Sequence, residues 1–400
     1  MSNTIESQST SAVMNTYGRF PVTLVKGKGS NVWDDSGQQF LDYTSGIATC
    51  NLGHVPDEVN RKVKEQLDTL WHCSNLYEIP QQQELATVLT ENSCFDQVFF
   101  CNSGAEANEA AIKIAKKYAI DKGEVEKTNI VTFTNSFHGR TGATMAATGQ
   151  EKIHQGFTPL TPGFRYLPLN DFDALAQIND GKTTAVLLEL VQGEGGVHPA
   201  DLMWIRELAA LCKKEDILLM IDEIQTGMGR TGTLFAYEQF GIEPDVITSA
   251  KALASGLPVG AMLAKESVAQ SFQPGSHGST FGGNPLVMSA GLATMETIMH
   301  ENILSAVSEK AGWLSGNLEE LQQEFSSIEE VRGIGLLIGI QMTDEAASWI
   351  SAFREKGILV LAAGSNTIRI LPPLTTTKEE LKHFIQTFKQ LLTEKEGVPS

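Results

Sequence analysis

Cysteine is scarce and scattered: Cys50, Cys73, Cys94, Cys101 and Cys212 are odd in number and form no Cys-x-x-Cys pair. Neither a disulfide framework nor a metal centre is expected, and the thiols read as free and buried. Positive charge is also short, with 30 Lys plus Arg against 48 Asp plus Glu, a net −18 over 400 residues. A surface of that sign repels phosphate backbones and anionic lipid, so nucleic acid and membrane surfaces are excluded as expected partners. Long apolar runs are missing. The longest uncharged stretch, Ser267 to Met295, holds Pro274, Pro285 and five glycines, which a bilayer-spanning helix does not tolerate. The polar start MSNTIESQSTSAV lacks the basic-then-apolar order of a secretory signal, and a cytoplasmic location is the expectation. There is no G-x-S-x-G elbow and no H-E-x-x-H pair, so serine- and zinc-hydrolase chemistry lose their usual support.

What is present has ordinary soluble composition, 42% hydrophobic and 20% charged, which a chain of this length folds into two domains or one large domain with an appendage. Short apolar runs alternate with longer amphipathic ones: Val98 to Cys101, Ile130 to Phe133, Ala185 to Leu190, Ile217 to Ile221, Val246 to Ala250. Continuous apolar character marks strands buried on both faces, which predicts an α/β fold with a mostly parallel sheet between helices. After about residue 285 a helical stripe, Ile303, Leu304, Val307, Ala311, Leu314, Leu318 and Leu321, and strands near Val331 to Ile340 and Thr367 to Leu371 predict a smaller α+β domain. The expected division is 1–45 as an N-terminal segment packing with the small domain, 46–285 as the large domain and 286–400 as the small one. The small domain is thus built from both chain ends. The Ser/Thr-rich first dozen residues are expected to fray.

Three anomalies carry chemistry. Ser103, followed three residues later by Glu106, reads as a capping box, and Ala107, Ala110, Ala111, Ile114, Ala115, Tyr118 and Ala119 continue a helical stripe. Gly104 and Ala105 leave the first helical amides uncovered, an anion site at the end of a strand. Asp222 closes an apolar strand, where a buried acid needs a partner. Lys251 ends another strand and precedes thirteen uncharged residues, Ala252 to Ala264; desolvation there makes an amine nucleophilic at neutral pH. Anion-binding helix start, strand-end acid and buried lysine together fit one cofactor, pyridoxal 5′-phosphate: phosphate, ring nitrogen and aldehyde each find a partner. Taken singly, each has a structural explanation as a cap, a loop acid or a solvated amine. A competing pattern is Gly227-Met-Gly-Arg-Thr-Gly232, a G-x-G-x-x-G match that would make the protein a nicotinamide-dependent oxidoreductase.

The strings NSGAEANEAAIKIAKK (102–117), FHGRTGATMAATGQ (137–150), VQGEGGV (191–197), DEIQTGMGRTG (222–232), HGSTFGGNPL (277–286) and IRILPPL (368–374) resemble the class III, ornithine-type aminotransferases of pyridoxal-phosphate fold type I. The resemblance extends from Tyr17 to Leu374. It departs at Leu190, where the family usually has Pro, and in KALASG (251–256), where a more Gly-rich run is usual.

The resemblance implies roles. Ser103, Gly104 and Ala105 would hold the cofactor phosphate, Phe137 would stack on the ring, Asp222 would pair with the ring nitrogen, Gln225 would donate to the ring oxygen, and Lys251 would bond the aldehyde. Ser279 and Thr280 would reach across the interface of a homodimer with a shared active site, Thr280 to the phosphate. Arg140 and Arg369 would grip substrate carboxylates, with Glu194 pairing Arg369 and releasing it when glutamate binds. Tyr17 would lie near the substrate carboxylate. The implied reaction is ping-pong transamination from the terminal amine of N2-acetyl-L-ornithine to 2-oxoglutarate. Ornithine, succinylornithine, succinyl-diaminopimelate and 4-aminobutyrate are alternative donors, and a mutase of the glutamate-1-semialdehyde type is a further same-cofactor alternative.

Overall fold

The apolar runs form a seven-stranded sheet flanked by helices. The structure, a computed structural model, describes residues 12–300 and 302–397; residues 1–11 of the polar start lie outside the described residues. The strands are β1 (Gln97–Cys101), β2 (Asn129–Phe133), β3 (Phe164–Leu167), β4 (Thr183–Leu188), β5 (Leu218–Asp222), β6 (Val246–Ser249) and β7 (Gly260–Ala264). Their order is β1-β7-β6-β5-β4-β2-β3. Neighbours are parallel except where β7 pairs antiparallel with both β6 and β1.

β3 and β7 are not among the strands that the apolar runs predict. The run Gly260–Ala264 sits inside the uncharged stretch after Lys251 and carries no polar residue to mark its start. Only its pairing between β1 and β6 defines it. The helix α1 (Gly104–Asp121) begins at N-cap Ser103, as its capping residue requires. The box differs from the expected one: Ser103 accepts from the Glu106 N–H, but the Glu106 carboxylate takes the Asn102 N–H at 2.6 Å instead of that of Ser103.

The helices α2 (Pro285–His300) and α3 (Ile303–Glu324) follow. α2 packs on the helices Asp57–Leu67 and Pro80–Glu91. Of the predicted stripe on α3, all but Leu304 are buried. The expected strand near Val331 to Ile340 is a hairpin, β8 (Ile328–Ile334) and β9 (Leu337–Met342). It turns at Gly335, whose φ of +62° suits glycine and whose missing Cβ lets it lie against Thr231. With β10 (Leu361–Ala363) and β11 (Thr367–Ile370) the hairpin makes an antiparallel sheet, β8-β9-β11-β10. A further sheet joins both halves of the chain: Leu24–Lys28, Asn31–Asp34 and Gln39–Asp42 pair in sequence, and Ile358–Leu359 adds in parallel to the last.

The loop Gly227–Gly232 neither follows β5 directly nor opens a helix. Its Arg230 is buried and donates to the carbonyls of Leu336 (3.0 Å) and Pro372 and to Asn51 Oδ1. Gly229 lies against Leu304 and Leu374. These glycines allow close packing of chain on chain, which removes the basis of the dinucleotide reading.

Tyr43, next after the strand Gln39–Asp42, and Phe353, Phe384 and Phe388, from the last helices, bury their rings together, Phe353 stacked on Phe384 with centroids 5.4 Å apart. Phe384 comes from α5 (Lys378–Glu396), and Phe353 from α4 (Ala346–Glu355). Phe384→Ala is expected to destabilise the fold by about 3–5 kcal/mol through the cavity it leaves; a thermal midpoint equal to wild type would contradict this packing role.

Candidate active site

The carboxyl ends of β1, β4, β5 and β6 lie along one edge of the sheet, where open α/β sheets place their ligands. A cavity of about 420 Å³ opens there, a volume suited to a small-molecule cofactor. Ser103, Gly104 and Ala105 line it, together with Asp222, Gln225 and Lys251. Phe137 and Arg140 form part of the wall, the Arg140 guanidinium 5.8 Å from the Phe137 ring centroid.

The earliest intrahelical bond of α1 runs from the Ala107 N–H to the Ser103 carbonyl. The amides of Gly104 and Ala105 precede it and so remain for a ligand, at the positive end of an 18-residue helix. Gly260 makes this possible, because a Cβ there would come within 2.3 Å of the Ser103 carbonyl oxygen.

Asp222 is buried and held by three contacts. Its Oδ2 accepts from Asn108 Nδ2 at 2.8 Å and lies 2.8 Å from His138 Nδ1, while Oδ1 accepts from the Ile224 N–H. Thr248 in turn donates to Asn108 Oδ1 at 2.7 Å. Asn108 and His138 were not foreseen. An asparagine amid the alanines on the buried face of α1 was a legible sign, because a buried amide needs partners.

Lys251 follows β6 in a left-handed backbone conformation, φ +45°, uncommon for a residue with a side chain. Strain of this kind gathers at functional sites. Burial drives its ammonium below the usual lysine range against the pull of Glu194, Asp222 and Glu189. Glu189, also unforeseen, is buried beyond β4 and accepts the Phe137 N–H at 2.9 Å. Burial, reinforced by the charge of Asp222, raises its carboxyl well above the usual range. It ends an apolar run as Asp222 does, and the same reasoning would have found it.

Beside the cavity, Arg369 Nη1 meets Glu194 Oε1 at 2.6 Å and donates to Gly193 O and Gln225 Oε1. Burial pushes the Glu194 carboxyl up, but the Arg369 guanidinium outweighs it and holds the group below its usual range. Ser279 and Thr280 lie outside this cavity, on adjoining surface with Asn102, Glu106 and His277. The Ser279 hydroxyl accepts from Asn102 Nδ2 and the Gly282 N–H, and Thr280 is exposed. Tyr17 is 72% exposed and is not among the cavity residues.

The family model for class-III aminotransferases matches residues 12–392. The chain belongs to the class-III aminotransferases. This aminotransferase is 62% identical over 387 residues, 97% of each chain, to the acetylornithine aminotransferase of Oceanobacillus iheyensis. Its fold is similar to that of the N-acetylornithine aminotransferase of Stenotrophomonas maltophilia, with TM-score 0.84 at 36% identity, covering 96% of this chain and 98% of the other. It is also similar to the ornithine aminotransferase of Toxoplasma gondii, with TM-score 0.91 at 29% identity, covering 96% and 93%; that structure is described with partial occupancy of pyridoxal phosphate at the active site.

Class-III aminotransferases use pyridoxal 5′-phosphate, and the aminotransferase's cavity fits it. Free amides at the start of α1 suit a phosphate, and a buried amine suits an aldehyde. A carboxylate at the strand end suits a ring nitrogen, and the buried His138 Nε2 has no hydrogen-bond partner among the described residues. Among the described residues, no helix is long and apolar enough to cross a membrane.

Proposed function

We propose that this enzyme moves the terminal amino group of N2-acetyl-L-ornithine to 2-oxoglutarate, giving N-acetyl-L-glutamate 5-semialdehyde and L-glutamate, a step of arginine biosynthesis. Supporting this are the acetylornithine and ornithine aminotransferases it resembles and, above all, the Arg369–Glu194 pair at 2.6 Å beside the cavity that Arg140 lines.

In this reading Ser103, Gly104 and Ala105 hold the cofactor phosphate, Phe137 covers the ring, Asp222 faces the ring nitrogen and Gln225 the ring oxygen. Bound there, pyridoxal phosphate supplies an aldehyde that takes up an amino group and a ring that draws electrons from the reacting carbon. Lys251 holds the cofactor covalently between turnovers. Once displaced, its amine moves a proton from the substrate carbon, a task its burial-lowered basicity suits. Arg140 grips the donor carboxylate bidentately and thereby orients the distal amine.

With Glu194 on Arg369, a second carboxylate has no free partner, and the long monocarboxylate enters amine-first. A dicarboxylate such as 2-oxoglutarate then takes Arg369 from Glu194. Glu194→Ala is expected to raise transamination of α-amino groups relative to the terminal one about ten-fold, a typical coupling free energy. Measuring the half-reaction of glutamate, an α-amino donor, against those of N-acetylornithine, ornithine and 4-aminobutyrate tests this, and unchanged discrimination sinks the switch. A best donor other than N-acetylornithine overturns the substrate assignment, and turnover without 2-oxoglutarate overturns transamination in favour of an intramolecular mutase.

The working unit in this reading is a cytoplasmic homodimer. Exposed Trp71, Leu76, Tyr77 and Phe281 support it, since Asn75 donates to the Ser279 and Gly282 carbonyls and so draws this apolar surface beside Thr280. In the dimer Ser279 and Thr280 serve the partner's site, Thr280 at the phosphate; Tyr17 completes the substrate pocket from the N-terminal segment. The assignment of 1–45 and 286–400 to a small domain and 46–285 to a large one belongs to the same reading, supported by the sheet shared between residues 24–42 and 358–359. Sedimentation of the protein as a monomer would overturn the shared site.

A further inference from the structure

Arg332 is not among the cavity-lining residues, yet it is connected to both members of the Glu194–Arg369 pair. It sits on β8 directly across from Gly339 on β9, which in turn is directly across from Arg369 on β11. Side chains in such a row share one face of the sheet. Gly339 leaves a gap between the two arginines, and Val197 fills it: a Cβ on Gly339 would come within 2.7 Å of the Val197 Cβ. The segment carrying Glu194 is therefore laid across the sheet and gripped from both sides. Arg369 takes the Gly193 carbonyl at 2.9 Å. Arg332 takes the Gly196 carbonyl through both Nε (2.9 Å) and Nη2 (2.7 Å). Its Nη2 also donates to Thr367 Oγ1 at 3.1 Å, two residues before Arg369. The guanidinium is itself fixed by Gln341 and Glu330, with the side chain only 8% exposed.

The gripped backbone is not relaxed. Gly196 sits at φ +123° and Val197 at φ +57°; the latter is a costly conformation for a β-branched residue and persists only where surroundings hold it. We infer that Arg332 is a positioning residue which, by clamping Gly196 to Thr367, holds Glu194 on Arg369 and so sets how readily a dicarboxylate displaces it. This rests on the Glu194 switch proposed above. Without the clamp, the 193–197 segment relaxes away from the sheet, whereas Arg369 stays fixed in β11 between β9 and β10.

Glutarate, a dicarboxylate that cannot undergo amino transfer, reads the switch without turnover. Calorimetric titration of the holoenzyme is expected to show Arg332→Met binding glutarate about five-fold more tightly than wild type. Arg332→Lys, which keeps the charge and guards against a folding defect, falls between. Glu194→Ala binds more tightly than either, and Arg332→Met in the Glu194→Ala background adds nothing further. Equal weakening by Arg332→Met in both backgrounds, or no change where Glu194→Ala tightens binding, overturns the positioning role alone. A Glu194→Ala enzyme that binds glutarate no more tightly overturns the switch, and this inference with it.

Discussion

Lys251→Ala is expected to lower both half-reactions by about 10⁴-fold, the upper range for losing a positioned proton-transfer group. In the proposed mechanism two roles end together, since the same amine would hold the cofactor and move the substrate proton. Stability is not expected to fall with activity. The amine is buried and driven towards its neutral form, and its backbone is held at φ +45°; removing a buried amine relieves a desolvation penalty. An unchanged or higher thermal midpoint of the cofactor-free protein, beside lost turnover, is the signature. Retention of a tenth of wild-type rate would remove Lys251 from the chemistry.

Asp222→Asn separates charge from shape. The amide fills the same volume but presents an N–H₂ where Asn108 Nδ2 already donates at 2.8 Å, and one buried donor loses its acceptor. A loss of about 1–3 kcal/mol in stability follows. Turnover is expected to fall about 10²-fold, the rate equivalent of one charge-assisted hydrogen bond to the ring nitrogen. Asn108→Ala removes the donor instead but also strips the Thr248 hydroxyl and the His138 carbonyl of their partner, so combined with Asp222→Asn it is expected to recover none of the rate. A wild-type rate in Asp222→Asn would mean that Asp222 serves packing alone.

The two substitutions also mark where sequence was legible. Lys251 and Asp222 stand out because each interrupts a pattern: a charge after an apolar strand contradicts local burial, and the contradiction is visible within a few residues. Ser103 is readable because capping acts over one helical turn. Glu189 broke a pattern in the same way and could have been found. Asn108 and His138 are harder, since their partner Asp222 lies 114 and 84 residues away. β7 was invisible because nothing local distinguishes its uncharged residues from the turn before it; a strand between two others is defined by the strands it pairs with.

The residues by themselves determined the α/β class, five of the seven strands of the main sheet and the places where charge meets apolar backbone, because periodicity, capping and desolvation act over neighbouring residues. Tertiary structure decided which of those charges meet; ahead of it, only the family resemblance, and not the residues themselves, paired Glu194 with Arg369. Glu194 and Arg369 are 175 residues apart and pair at 2.6 Å, and Arg332 reaches Gly196 across 136. Such pairings depend on strand order and on which side chain a sheet leaves out, as at Gly339, and no short stretch of chain contains that information.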